Sequence, residues 1–279
     1  MLLAIMRLVR LSNSLPASAL VLLGAKLTGS ALLDPRLWLA MAAMWCITAF
    51  GYVSNDLSDV VEDRINKPDR PLPTGKLTRR QAIMLALMLL VTALLLSRQL
   101  GWLALTVAAL VLALLLLYNW RLKGALGLGN LLIASLAACA LLPGAVAVDG
   151  WQRVTFVKLL PATTALALFI LAREMLKTLE DRAGDGVAGK RTIAIQLGTA
   201  PTLRLIACLA LLFCGVIGWL FRAQGYSLIA RGLMLLGVGL PLLWTVWYLV
   251  PTAPSAKVSR SLAILKGCYF VGMVALWLA

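Results

Sequence analysis

Apolar runs of about 20 residues recur along the whole of this chain, and that pattern leaves few folds open. A helix of 20 residues is about 30 Å long, the thickness of a bilayer's hydrocarbon core. The runs predict nine spans, at 14–33, 37–59, 80–97, 103–120, 126–148, 157–179, 202–221, 228–249 and 262–279. Only 13% of the 279 residues are charged and mean hydropathy is +0.94, where a soluble domain carries about 25% charge. The expected fold is all-α: a polytopic membrane protein of about nine helices, one domain over 1–279. The connections are short and broken by Pro or Gly, at 67–75, 124–129, 184–189 and 250–256. A cleavable signal peptide is not expected, because no small-residue cleavage site follows a charged start.

The chain carries 26 Lys and Arg against 11 Asp and Glu, a net charge of +15. The basic residues gather in the short loops, which points to lipid headgroups and the positive-inside rule, not to nucleic acid. Of the 26, 16 fall on the side holding the N-terminus and the connections after spans two, four, six and eight, and 6 on the other. That asymmetry predicts a protein of the cell's inner membrane with its N-terminus and motif loops cytoplasmic and its C-terminus outside. Arg153 is counted on the far side. Lys26, Arg173, Lys177 and Lys266 sit at or within spans, where a charge is expected to face a polar cavity. The five cysteines lie in apolar runs without Cys-x-x-Cys spacing and read as packing.

The acids are distributed even less evenly. Five lie between Asp56 and Asp69 and four between Glu174 and Asp185. The two clusters follow spans two and six, and both map to the cytoplasmic side. Each half shares an order: a span, an acidic helix end, then a basic loop rich in Pro or Gly. On a helix, Asn55, Asp59 and Asp63 are spaced i, i+4, i+8 and form one column, which Asp56 widens; Asp181 and Asp185 repeat the i, i+4 step. Carboxylates stacked this way repel one another unless cations lie between them. With no histidine in the chain, the commonest transition-metal ligand is missing. Oxygen ligands at this spacing suit Mg2+, which keeps waters and takes phosphate oxygens.

The same windows supply base. Lys67, Arg70, Lys123, Arg173, Lys177, Lys190 and Arg191 all map to the acidic side. Acid and base together suggest Mg2+ holding a di- or triphosphate. Pro68, Pro71 and Pro73 end the second span and leave Lys67 and Arg70 on a stiff loop, predicted to fold back over the pocket. A phosphate site under an apolar bundle calls for a ligand with a charged head and a greasy tail, such as a polyprenyl diphosphate.

Asn55-Asp56-x-x-Asp59-x-x-x-Asp63 resembles the first aspartate motif of the UbiA superfamily of intramembrane prenyltransferases, and Asp181-Arg-Ala-Gly-Asp185 resembles its second. The likeness extends through Arg64-Ile-Asn-Lys-Pro-Asp-Arg-Pro-Leu-Pro-Thr-Gly75, Tyr118-x-x-x-Leu122-Lys123, Gly129-Asn130 and Arg173-Glu174-x-x-Lys177. It implies nine helices around a central cavity. It implies Mg2+ held by Asn55, Asp56, Asp59 and Asp63 with Asp181 and Asp185, and Asp59, Asp63, Asp181 and Asp185 as catalytic carboxylates. Arg70, Tyr118, Lys123, Asn130 and Lys177 would bind the diphosphate, together with Lys67, Arg173 and Arg191.

The window from Arg173 to Asp185 is most similar to digeranylgeranylglyceryl phosphate synthases, with Thr178 where many of those have Asp. The implied activity is transfer of a prenyl group from an allylic diphosphate donor to a lipophilic acceptor in the membrane, a geranylgeranylglyceryl phosphate-like hydroxyl. Two other readings stay open: an aromatic acceptor of the quinone or chlorophyll-precursor type, and a cation-coupled transporter. Transport would place ionisable residues along a path to both faces, whereas these acids gather at one.

Overall fold

The computed structural model describes residues 1–150, 153–249 and 255–279. The side chain of Arg153 and residues 250–254 of the expected linker lie outside that set. Among the described residues every regular element is helical. Eight helices are long and apolar enough to cross a membrane, at Pro35–Ser58, Arg79–Gln99, Trp102–Leu122, Leu128–Asp149, Thr155–Glu180, Thr199–Phe221, Leu228–Tyr248 and Ala256–Trp277. The ninth is a bent pair, Leu2–Leu8 (α1) and Leu11–Thr28 (α2), kinked by 55°. Arg10 forms the kink, with a left-handed backbone at φ 47°. The expected first span at 14–33 is therefore shifted towards the N-terminus and bent. The last span starts earlier than expected, at Ser255 (α15, Ser255–Trp277).

Local chemistry sets several helix limits. Pro35–Ser58 (α3) begins at Asp34, whose carboxylate accepts from the Arg36 amide at 2.8 Å, with Pro35 in the first turn. After the short helix Val60–Asn66 (α4), the next span, Arg79–Gln99 (α5), opens on a capping box between Thr78 and Gln81. Its buried face is mostly small, with Ala82, Ala86, Ala93 and Ser97 beside Leu89, and the helix packs on α3. Its opposite face shows Met84, Leu87, Met88, Val91 and Leu95 to lipid. Small residues inside and large ones outside is how helices close on each other where lipid removes the hydrophobic drive to associate. Trp102 and Trp120 stand exposed near the two ends of the following span, as at a membrane interface.

One contact is tighter than the rest. Span Leu128–Asp149 runs as Leu128–Ala138 (α7), a 3-10 turn, and Leu142–Asp149 (α8). A Cβ on Gly24 of α2 would collide with the Leu141 carbonyl, and one on Gly144 with the Val21 carbonyl. The two glycines let these backbones touch.

The bundle is closed through the long helix Arg153–Glu180 (α9). It packs on α7, on Thr199–Val216 (α12) and on α15, while α2 packs on α3, α8 and α15. The largest core cluster lies along α9, from Ala162 through Phe169 to Leu176, with Phe213, Phe221 and Leu265. At one end of the bundle the terminus of α3, the short helix Val60–Asn66 (α4), the π-helical turn Tyr118–Leu122, the terminus of α9 and the short helix Arg182–Val187 (α10) come together.

Candidate functional site

Both acidic motifs lie at helix breaks, not on continuous helices. Helix α3 stops at Ser58 and α4 starts at Val60, with Asp59 between them at φ −99°, ψ 13°. Helix α9 stops at Glu180 and α10 starts at Arg182, with Asp181 between them at φ −86°, ψ 1°. Four-residue hydrogen bonds still bridge each break: Asp59 N to Asn55 O at 3.0 Å, Asp63 N to Asp59 O at 2.8 Å, and Asp185 N to Asp181 O at 3.0 Å. The i, i+4 registers therefore survive the breaks. The order noted in the two halves becomes a matched geometry, an aspartate at a break and another four residues on.

The breaks face each other across a polar cavity open to the surface. Asn55, Asp59, Asp63, Arg70, Tyr118, Lys123, Asn130, Lys177, Asp181 and Asp185 line it, so ten of the fourteen expected site residues meet in one place. Lys123 Nζ donates to Asn55 Oδ1 at 2.8 Å and pairs with Asp59. Asn55 Nδ2 donates to Asp59 Oδ2 at 2.9 Å. Arg70 Nη1 holds Asp63 Oδ2 at 2.5 Å. Lys123 follows the π-helical turn, where its amide donates back to Tyr118 O at 2.8 Å. A Cβ on Gly129 would come 2.7 Å from Leu122 O and 3.0 Å from the Tyr118 ring. That glycine lets the first turn of α7 deliver Asn130 against the same turn.

Four expected residues are placed elsewhere. Asp56, about 100° round the helix from Asn55, turns from the cavity to Arg10 Nη2 at 2.5 Å and Arg70 Nη1 at 3.3 Å. It ties the α1–α2 kink to the motif instead of widening a ligand face. Lys67 is no lid: its Nζ reaches Glu180 Oε2 at 2.5 Å and Asp181 Oδ1 at 3.6 Å, pinning the end of α4 to the end of α9. On α9, Glu174, Lys177, Thr178 and Asp181 share one face at i, i+3, i+4, i+7. Arg173 is a residue off that face and pairs with Glu174 at 3.2 Å. Arg191 lies in the irregular segment between α10 and the helix Ile193–Gln196 (α11). Lys190 and Thr192 line the cavity, and Arg191 is exposed.

Glu62, Asn66, Glu174, Thr178, Lys190 and Thr192 also line the cavity and were not assigned from the motifs. Glu62 and Asn66 could have been found by carrying the helical register of Asp59 on by three and seven residues. Lys190 was visible only as one of two adjacent bases. Its Nζ lies 2.8 Å from Glu62 Oε1, 3.2 Å from Asp185 Oδ1 and 3.4 Å from Asp59 Oδ1, bridging the two motifs.

The charges perturb one another in opposite senses. Burial works against the Asp59 carboxylate, but Lys123 and Lys190 outweigh it and hold Asp59 below the usual carboxylate range. Burial raises Asp63 despite Arg70, and raises Asp185 despite Lys190. Burial lowers the Lys123 ammonium against the pull of Asp59. Lys190 is raised, because Asp59, Glu62 and Asp185 together exceed its own burial.

Among the described residues no three acidic, His or Cys side chains converge as a closed metal cage. The donor set is of another kind, oxygen atoms on two facing helix breaks with Arg70, Lys123, Lys177 and Lys190 among them. Asp181 Oδ1 is buried and has no hydrogen-bond donor; its nearest cation is Lys67 at 3.6 Å. Mg2+ is usually held this way, by one or two carboxylates with waters and substrate phosphates completing the shell.

A second, smaller cavity lies between α2, α9, α12 and α15. Leu20 of α2, Leu166 and Phe169 of α9, Phe213 of α12 and Tyr269 and Leu276 of α15 line it, and its surface is almost wholly apolar.

The profile of the UbiA prenyltransferase family matches residues 15–276. A digeranylgeranylglyceryl phosphate synthase of Halobacterium salinarum is 38% identical over 225 residues, covering 77% of this chain and 80% of that protein. The apo structure of a UbiA homolog from Aeropyrum pernix K1 superposes with a TM-score of 0.79 at 20% identity, over 94% of this chain and 96% of that one. A UbiA homolog from Archaeoglobus fulgidus, solved bound to GPP and Mg2+, gives 0.64 at 14% identity over 98% and 99%. This chain is an integral membrane protein and belongs to the UbiA prenyltransferase family.

Proposed function

We propose that this protein transfers a prenyl group from an allylic polyprenyl diphosphate to the hydroxyl of a geranylgeranylglyceryl phosphate-like lipid, with Mg2+ as cofactor. The carrying observation is Lys190, which bridges carboxylates of both motifs inside one polar cavity. A cavity walled by facing carboxylates and threaded by Lys123, Lys177, Lys190 and Arg70 suits a metal–diphosphate headgroup. The second, apolar cavity suits hydrocarbon. The relatives named digeranylgeranylglyceryl phosphate synthase favour the glycerol-type hydroxyl over an aromatic ring.

Asn55, Asp59, Asp63, Asp181 and Asp185 would hold Mg2+, which when bound neutralises charge on the leaving diphosphate. Arg70, Lys123, Lys177 and the Tyr118 hydroxyl donate to diphosphate oxygens as the allylic C–O bond breaks. The aromatic and aliphatic walls of the apolar cavity exclude water from the electron-poor carbon until the acceptor oxygen attacks, its proton passing to a carboxylate or to the departing diphosphate. The acidic end faces the cytoplasm, on the count of Lys and Arg.

The test is purified protein incubated with allylic diphosphates of increasing length and with glycerol-phosphate lipid or aromatic acceptors, products read by mass. Ether formation on the lipid in Mg2+, lost in EDTA and in Asp59→Asn and Asp185→Asn, is expected. Prenylation of aromatic acceptors alone, or transfer undiminished in both variants, would overturn the assignment.

A further inference from the structure

The two acidic motifs must keep a fixed spacing to act on one diphosphate, yet they belong to helices separated by more than 100 residues. Two charged links cross between them. Lys190 bridges carboxylates, and Lys67 pins Glu180 and Asp181. Either link weakens whenever a cation or a substrate competes for its oxygens. A neutral link also crosses, and it does not compete.

Asn66 is the last residue of α4, three residues beyond Asp63. Its side chain lies against the start of α10. Asn66 Nδ2 donates to the Asp181 carbonyl at 3.0 Å, and the Gly184 amide donates to Asn66 Oδ1 at 3.0 Å. The carboxamide thus takes one acceptor and one donor from the backbone that carries Asp181 and Asp185. Its oxygen serves one of the first-turn amides that a helix leaves without an internal partner. The Asp181 carbonyl is shared, since it also accepts from the Asp185 amide at 3.0 Å.

The glycine belongs to the same device. Gly184 is helical and buried, so nothing in its own backbone asks for glycine, and inside a helix glycine is less favourable than alanine. A Cβ at 184 would lie 2.7 Å from Asn66 Cγ and closer still to Nδ2. The missing side chain is the room that the carboxamide occupies. The carboxamide of Asn is also the shortest side chain that carries its donor and its acceptor on two separate atoms without adding charge. An aspartate at 66 would keep the bond from Gly184 but set an anion against the Asp181 carbonyl, beside Asp63, Asp181 and Asp185.

We infer that Asn66 and Gly184 form a neutral clasp that sets the separation of the two acidic motifs, making Asn66 a positioning residue for the metal–diphosphate site. The inference rests on the functional reading above for what the site binds. Partners that orient metal ligands from outside typically change metal affinity by about 10–100-fold when removed.

The experiment uses the full chain in detergent, with inorganic diphosphate and Mg2+ as the probe. Asn66→Ala, Asn66→Asp, Gly184→Ala and the double variant Asn66→Ala/Gly184→Ala are compared by calorimetric binding, by the Mg2+ concentration that half-saturates transfer, and by melting in EDTA. Asn66→Ala should weaken Mg2+-supported diphosphate binding and raise the Mg2+ requirement by about 10-fold, with Asn66→Asp worse. Gly184→Ala should match or exceed the Asn66→Ala loss. The double variant should be no worse than Asn66→Ala, because removing the carboxamide frees the space that a Cβ needs. Unchanged Mg2+ dependence in Asn66→Ala, with loss confined to melting temperature, would make Asn66 merely structural and overturn the inference. So would losses that multiply in the double variant. If the parent protein binds no Mg2+–diphosphate, the functional reading fails, and the clasp stands or falls on whether the two substitutions are non-additive in melting.

Discussion

Lys190→Met offers the sharpest test of how this site is held before it is loaded. The Lys190 ammonium sits 2.8–3.4 Å from Glu62, Asp59 and Asp185, and its side chain is only 13% exposed. Methionine keeps most of the stem's volume and removes the charge, leaving three nearby carboxylates that repel one another. Breaking a buried ion pair by deleting one partner costs about 3–5 kcal/mol. The residual exposure of Lys190 puts this case at the lower end, about 3 kcal/mol. For a chain of this size each kcal/mol moves the melting temperature by about 2–4 °C, so a fall of about 6–12 °C is expected in EDTA. Mg2+ alone should restore more of that loss in the variant than it adds to the parent. In the parent the metal must displace an ammonium from the same oxygens; in the variant Glu62 and Asp185 have lost that cation, while Asp59 keeps Lys123. Differential scanning fluorimetry across a Mg2+ titration reads both quantities. An unchanged melting temperature in EDTA, or equal Mg2+ responses in the two proteins, would refute the idea that Lys190 stands in for a metal charge.

Three further outcomes follow from the same geometry. Asp56→Asn should leave the Mg2+ requirement of transfer unchanged while costing about 3 kcal/mol through Arg10 and Arg70; a raised Mg2+ requirement would return Asp56 to the ligand set. Because Lys123 and Lys190 hold Asp59 below its unfolded pKa, its contribution is present above about pH 4 and is lost as pH falls further. Asp59→Asn should therefore flatten the acid limb of a stability–pH profile in EDTA, and a parallel profile would disprove that pairing. Gly144→Val should destabilise by the upper end of the roughly 1–3 kcal/mol typical of overpacking, since its neighbour is the Val21 carbonyl, not a side chain that can rotate away; a melting temperature equal to the parent's would rule out the close α2–α8 contact.

The nine apolar runs, the all-helical fold and the two aspartate motifs were legible in the sequence because each is a local property. Hydrocarbon thickness sets the length of an apolar run, and the 3.6-residue turn sets which oxygens stack. The same local logic placed Asn55, Asp59, Asp63, Asp181 and Asp185 on one cavity, even though both motifs prove to be broken helices. What sequence could not supply was which neighbour each charge chooses. Asp56 and Arg173 are one residue off their ligand faces, and the partners that draw them differ. Arg10, which claims Asp56, is 46 residues away; Glu174, which claims Arg173, is the adjacent residue. Lys190 and Arg191 are indistinguishable as letters, and only the folded path of the segment between α10 and α11 sends one to the cavity and leaves the other exposed. Asn66 carries no charge and Gly184 no side chain, so nothing in either residue announces a pairing 118 positions apart. Charge and periodicity are written along the chain, but the choice of partner is made across it, by the packing that brings one helix break against the other.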